Sequence, residues 1–72
     1  MGEKIGFKDA QGKDIRLGNT IKNAEGDVYT VHKGVDGTYL KDVKSKDIIW
    51  ISEIGFVWDM LHFEIIDLEV VK

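Results

Sequence analysis

The first 47 residues alternate short apolar stretches with turn residues, which is the pattern of a small antiparallel β-protein. Asp9–Gly12, Ala24–Asp27 and Gly34–Gly37 are predicted turns, because Asp, Asn and Gly tolerate the backbone angles that tight turns require. Val28–His32 and Thr38–Val43 flank the last turn and are rich in β-branched and aromatic residues. We predict that these two runs form a β-hairpin.

The C-terminal third is apolar and predicts further strands. Ile48–Ile51 is β-branched or aromatic throughout, so it predicts a strand buried on both faces, with Trp50 in the core. The run His62–Val71 predicts a final strand, since apolar and polar residues alternate along most of it.

Helix and strand patterns overlap between these two predicted strands. Ser52 is a suitable N-cap for a short helix through Leu61, in which apolar side chains recur at helical spacing. Gly55 and the bulky run 56–58 favour a strand instead. Both assignments of 52–61 stay open.

Five or six short strands in 72 residues predict one all-β domain over residues 1–72, with at most one short helix near 52–61. The favoured architecture is a small, partly open, SH3-like antiparallel barrel, because closure hides sheet edges. An open sheet with one helix packed on it is the competing architecture.

Composition narrows the function classes. The chain carries 10 Lys+Arg against 13 Asp+Glu, a net charge of −3, which argues against a general binder of nucleic acid or acidic membranes. It has no cysteine, which removes disulfides and thiolate chemistry and favours the cytoplasm. Its longest uninterrupted apolar run is 48–51, too short for a membrane helix.

Residues for catalysis or cofactor binding are sparse. His32 and His62 lie far apart, without a metal-ligand spacing, and His62 with Glu64 predicts a solvated strand face. Neither Ser45 nor Ser52 stands in a Gly-x-Ser-x-Gly context, and the glycines form no phosphate-binding loop. We therefore expect no enzymatic activity, no metal and no cofactor.

Aromatic residues provide the main binding hypothesis. Tyr29 and Tyr39 lie on either side of the predicted hairpin turn, so we expect them to face each other on one surface that binds an extended peptide. Trp58 stays open between core and surface. The C-terminal third also has more apolar residues than so small a core can enclose. We predict that a second copy or a dedicated protein partner docks there, on Phe56, Trp58, Met60 and Leu61.

Nucleic acid is the alternative partner. Lys41, Lys44 and Lys46 form a basic segment that small barrels can use against phosphates. Asp42 and Asp47 are interleaved with these lysines, so a mixed-charge solvated surface is favoured over a nucleic-acid site.

The turn spacing of the N-terminal half resembles that of a known group. The pattern is Asp9-x-x-Gly12-x-x-Ile15-x-x-Gly18-Asn19-x-Ile21, then Asp27-x-Tyr29-x-Val31. Over about residues 7–32 it is similar to the YopX-like group of small β-barrel proteins from Gram-positive phages and prophages. Asn19 stands where that group usually has Asp, and the group's longer N-terminal section and closing Ile-Gly-Asn motif are missing. The resemblance implies a mobile-element accessory protein of unassigned function, with no catalytic residues.

Overall fold

The computed structural model describes residues 2–66, which form seven strands and one helical segment of three short pieces. The strands are Lys4–Lys8 (β1), Asp14–Arg16 (β2), Thr20–Lys22 (β3), Val28–Gly34 (β4), Gly37–Asp42 (β5), Ile48–Trp50 (β6) and Glu64–Ile65 (β7). The helical pieces are Ile51–Ile54 (α1), a 3₁₀ turn at Gly55–Val57, and Trp58–Leu61 (α2).

All strand pairs are antiparallel. β1 pairs with β2, and the other five strands form one sheet in the order β6-β5-β4-β3-β7. The five-stranded sheet is not closed, so the molecule is a partly open barrel. The prediction of a small, mostly β, partly open barrel is confirmed, and the short helix that the sequence left open is present. The described residues form seven strands rather than the five or six predicted.

The predicted hairpin is formed by β4 and β5. Gly34 and Gly37 are the last paired residues before the loop, and only Val35 and Asp36 lie between them. Gly37 has a φ of +124°, a conformation that residues with a side chain rarely adopt. The hairpin orders the longest two strands and aligns their side chains on two opposite faces.

The turn after β1 is organised by the buried carboxylate of Asp9. Its Oδ1 accepts hydrogen bonds from the backbone N–H groups of Gln11 (2.9 Å) and Lys13 (2.8 Å), and its Oδ2 accepts one from Ile65 (3.2 Å). Burial by itself raises the pKa of Asp9, but the hydrogen bonds from Lys13, Ile65 and Gln11 outweigh it and hold the pKa below its ordinary value. Asp9 thereby ties the β1–β2 turn to β7.

The core lies on the inner face of the five-stranded sheet, which β2 and the helical segment help to cover. Alternate residues of the strands point into it, as the period of two requires. Its buried members are Ile15, Ile21, Tyr29, Val31, Leu40, Ile51, Trp58 and Phe63.

The helix alternative for the C-terminal third is the one that forms, but it begins at Ile51 rather than after a Ser52 cap. Trp50 is the N-cap residue, and no side chain caps the helix. Gly55 is accommodated because the Phe7 ring packs against it: a Cβ at Gly55 would lie 3.1 Å from Cζ of Phe7. Gly55, which disfavours a helix by its intrinsic propensity, is therefore the position at which β1 packs against the helical segment.

Two strand predictions in this region need correction. Ile48–Ile51 is not a strand buried on both faces: the strand ends at Trp50, and Ile48 is 49% exposed because it lies beside Lys41 on the outer face, at the edge of the sheet. The last strand begins at Glu64, since His62 takes a left-handed conformation (φ 52°) that ends α2. The remainder of that prediction, 67–71, lies outside the described residues.

Within residues 2–66, no helix has the length and apolarity needed to cross a membrane.

Candidate functional site

The hairpin register separates the two tyrosines that the sequence placed together. Tyr39 pairs with His32, whereas Tyr29 pairs with Asp42. Tyr29 points into the core and Tyr39 points to the opposite, outer face of the sheet. The prediction that the tyrosines face each other is wrong, because paired residues are equidistant from the Val35–Asp36 loop and not from Gly34.

Tyr29 serves the core. It is only 8% exposed, and its ring meets the edge of Phe63 with centroids 6.0 Å apart. Burial raises the pKa of the Tyr29 hydroxyl, and the negative charges of Asp27, Asp42 and Glu25 raise it further. Its hydroxyl therefore stays protonated at neutral pH.

Three aromatic side chains line up across the outer face, one from each of three neighbouring strands. His32 of β4, Tyr39 of β5 and Trp50 of β6 are consecutive cross-strand neighbours. The His32 and Tyr39 rings stack, with centroids 5.3 Å apart and an angle of 20° between their planes. Tyr39 and Trp50 meet edge to face, also at 5.3 Å. We call these three residues the aromatic row; all three are half-buried.

Glycine makes room for this arrangement. A Cβ at Gly34 would lie 3.1 Å from Cε1 of Tyr39 and 3.4 Å from Cη2 of Trp50. The Trp50 side chain starts on β6, so reaching Gly34 on β4 requires the indole to extend across β5. The Tyr39 and Trp50 rings therefore occupy the space next to Gly34 that a side chain at this position would need.

A hydrogen bond fixes the other end of the row. The ring nitrogen Nε2 of His32 lies 2.7 Å from Oγ1 of Thr30, which is the preceding residue on the same outer face. With one side stacked on Tyr39 and one nitrogen bonded to Thr30, the imidazole is held in place. The row is therefore an ordered surface.

The rest of the outer face carries few charges. Among residues 2–66, its charged residues are Lys22, Glu64 and Lys41, and Lys22 stands opposite Glu64 in the register. Next to the aromatic row, the face is formed by β-branched side chains and Lys41, namely Val28, Thr30, Lys41 and Ile48. The row thus lies on a nearly neutral surface.

The structure places one tryptophan on the sheet surface and the other in the core, which corrects the prediction for Trp50 and decides the open position of Trp58. Trp50, predicted as core, is half-buried on the outer face. Trp58 is 6% exposed and packs between Phe7 and Phe63, with ring centroids 4.6 Å from each. Its indole N–H donates to the backbone carbonyl of Lys8 at 2.9 Å, which satisfies the one polar group of the buried ring.

The four residues of the predicted docking patch on the helical segment do not form one exposed surface. Trp58 is core, Leu61 is half-buried, and Phe56 and Met60 are 86% and 74% exposed. Phe56 lines a depression together with residues of the β1–β2 turn, whereas Met60 and Leu61 line another one beside 23–25. The helix therefore presents two separate exposed apolar side chains.

The basic segment of the alternative hypothesis is partly neutralised. Lys41 points to the outer face of β5, and Lys44 and Lys46 lie in the exposed loop before β6. Asp42 accepts hydrogen bonds from the backbone N–H groups of Ser45 and Lys44, and these bonds hold the pKa of its carboxyl below the ordinary value. The loop thus keeps an ionised Asp42 among its lysines.

Sequence reasoning missed His32 and Trp50 as surface residues. The signal for His32 was the two-residue loop, since counting outward from Gly34 and Gly37 pairs it with Tyr39. The position of Trp50 depends on the β5–β6 register, and the loop before β6 does not specify that register.

Among residues 2–66, no group of three or more His, Asp or Glu side chains is placed to hold a metal ion. No family model, curated protein or solved structure matches this chain.

Proposed function

We propose that this protein is a small, non-enzymatic binding module that engages a protein partner through the aromatic row. The observation that carries the proposal is the row itself: three ordered, half-buried aromatic rings on the outer face of a sheet. Tyr and Trp are the side chains that most often anchor protein interfaces, because they offer large contact areas at low cost in conformational entropy.

The shape of the surface supports a macromolecular partner. Side chains of the row stand on a sheet face, and five surface depressions of the described chain are lined by other residues. Small-molecule sites are concave and enclose most of their ligand. A ridge of rings is better suited to an extended segment that lies across β4, β5 and β6.

The orientation of the rings favours protein over single-stranded nucleic acid. Bases stack on free aromatic faces. In the row, the His32 and Tyr39 rings stack, so each ring covers one face of the other and a base cannot stack on those faces. Tyr39 and Trp50 meet edge to face. The row offers ring edges and apolar flanks, which suit aliphatic and proline side chains.

The charge distribution points the same way. A nucleic-acid surface needs several cations to neutralise phosphates, and the outer face combines Lys41 with a Lys22 that stands opposite Glu64. On the β1–β2 pair, Lys4 and Lys8 are bound to Asp14 at 3.3 and 3.4 Å, and the hydrogen bond from Lys4 helps hold the pKa of Asp14 below its ordinary value. Lys4 and Lys8 thus share the carboxylate of Asp14 in the same protein.

The proposal is tested with peptides selected from a random displayed library on the intact protein. Their affinities are then measured for Tyr39→Ala and Trp50→Ala, with Phe56→Ala and Met60→Ala as matched controls that remove an exposed apolar side chain elsewhere. We expect the row variants to weaken binding about tenfold or more, because anchors of this kind contribute about 2 kcal/mol. The controls are expected to bind as the unaltered protein does.

The opposite pattern contradicts the proposal. Peptides that lose affinity with Phe56→Ala or Met60→Ala, and keep it with the row variants, would place the binding surface on the helical segment. A fluorescent oligothymidine measured at two salt concentrations tests the alternative function. Tight, steeply salt-dependent binding that Lys41→Ala and Lys44→Ala abolish would support a nucleic-acid partner instead.

Two features of the sequence support a proposal for the biological setting. We propose a cytoplasmic accessory protein of the phage or prophage type, supported by the absence of cysteine and by the resemblance to the YopX-like group over about residues 7–32. In such a setting the partner is a protein of the host or of the phage.

A further inference from the structure

Strand β6 is a short edge strand that carries no charge, proline or bulge to discourage pairing. Within residues 2–66 it pairs with β5 on one side only. Its residues are Ile48, Ile49 and Trp50, so it contains no charged residue. Exposed edges are normally blunted by Lys, Pro or bulges, because unpaired backbone groups attract another strand.

The opposite edge of the sheet differs. There β7 is formed by Glu64 and Ile65, and the Glu64 side chain is exposed on the outer face. A charge at that position discourages pairing with a second strand. Of the two edge strands that the described residues form in the five-stranded sheet, β6 is therefore the one open to association.

We propose that two copies of this chain associate by antiparallel pairing of their β6 strands around Ile49. In this register Ile48 of each copy lies opposite Trp50 of the other, on the outer face. Ile48 is 49% exposed in the single chain, and an aliphatic–aromatic pair across two strands is a stabilising combination. The pairing thus covers an apolar side chain that the single chain leaves in solvent.

Pairing of the two β6 strands in this register brings no charged side chains together, since none of the three strand residues is charged. Ile49 meets its own copy at the two-fold axis, and no like charges stand opposite each other. The two five-stranded sheets become continuous, and the two aromatic rows lie side by side on one face. This arrangement extends the proposed binding surface without depending on any ligand.

The length of β6 limits the strength of the association. Pairing cannot extend past Trp50, because the chain turns into α1 at Ile51. Three residue pairs bury far less than the roughly 1,200 Å² of a stable interface. The dimer is therefore weak and forms at high protein concentration.

The experiment is sedimentation equilibrium from about 10 μM to about 1 mM, a range suited to weak interfaces. The unaltered chain is compared with Ile48→Glu and Val35→Glu. Glu at position 48 faces Lys41 of its own chain, so it preserves the monomer while placing a charge at the edge. Val35 is fully exposed at the hairpin loop, and its substitution changes the net charge equally.

We expect the apparent mass of the unaltered chain and of Val35→Glu to rise from 8.2 kDa toward twice that value. Ile48→Glu is expected to stay at the monomer mass. A monomer at every concentration, or equal association by Ile48→Glu, would overturn the proposal. Association that Phe56→Glu abolishes and Ile48→Glu does not would place the contact on the helical segment and overturn it too.

Discussion

At the scale of single residues, the two tryptophans show how context decides between core and surface. Both are flanked by apolar residues in the sequence, yet Trp58 is enclosed by Phe7 and Phe63 while Trp50 lies on the outer sheet face. Local composition could not distinguish them, because the difference comes from the strand register in one case and the helix orientation in the other.

Replacing the two tryptophans separately is expected to have unequal effects on stability. Trp58→Ala leaves a cavity between two rings and removes the bond to the Lys8 carbonyl, so we expect a loss of about 3–5 kcal/mol in the free energy of unfolding. Trp50→Ala is expected to cost about 1 kcal/mol or less. Urea denaturation measures both, and equal losses would contradict the placement of Trp50.

Asp9→Asn tests the buried carboxylate. The amide can still accept the two turn hydrogen bonds through its oxygen, but its NH₂ group then faces the Ile65 N–H, so we expect a loss of about 1–3 kcal/mol at pH 7.

Because the folded pKa of Asp9 is lowered, its ionised form stabilises the fold above the unfolded pKa of about 3.9, and this contribution is lost as pH falls through the folded value.

The stability difference between the unaltered chain and Asp9→Asn should therefore narrow as pH falls below about 4. Asp14 and Asp42, whose pKa values are also lowered, titrate in both proteins and cancel from the difference. Asp36→Asn, an exposed loop change of equal charge, is the control and should leave stability unchanged. A difference that stays constant down to pH 2.5 would show that ionised Asp9 does not contribute.

At the scale of elements, the β4–β5 hairpin was predictable because its signals are local. A two-residue loop between Gly34 and Gly37, flanked by β-rich runs, specifies both strands. The helical segment was less predictable, since Gly55 opposes a helix locally and only the packing of Phe7 explains its presence. Tertiary contact therefore decided the element that the sequence left open.

The two glycines of the hairpin are expected to respond differently to alanine. Gly37 has a positive φ, so Gly37→Ala strains the backbone and should cost about 1–3 kcal/mol. Gly34 has no such conformation, and Gly34→Ala should change stability by less than about 1 kcal/mol while displacing the Tyr39 and Trp50 rings. Urea denaturation and the NMR shift of the Trp50 indole N–H separate the two effects. An unmoved indole signal in Gly34→Ala would contradict the packing of the row on Gly34.

At the scale of the whole molecule, the fold class followed from turn spacing but the candidate site did not. Each predicted site residue was chosen for its type, and type alone does not indicate which face of a sheet a residue occupies. Tyr39 was identified, whereas His32 and Trp50 were not, because their grouping depends on two strand registers together. The site is a property of the assembled sheet.

The central claim is that the aromatic row is the binding surface. The most direct measurement is an NMR titration of the ¹⁵N-labelled protein with a peptide selected on the unaltered chain. We predict that the Trp50 indole N–H and the amides of His32 and Tyr39 shift, while the Trp58 indole N–H, bonded to the Lys8 carbonyl, stays in place. Shifts confined to residues 56–61, with an unmoved Trp50 indole, would contradict the account.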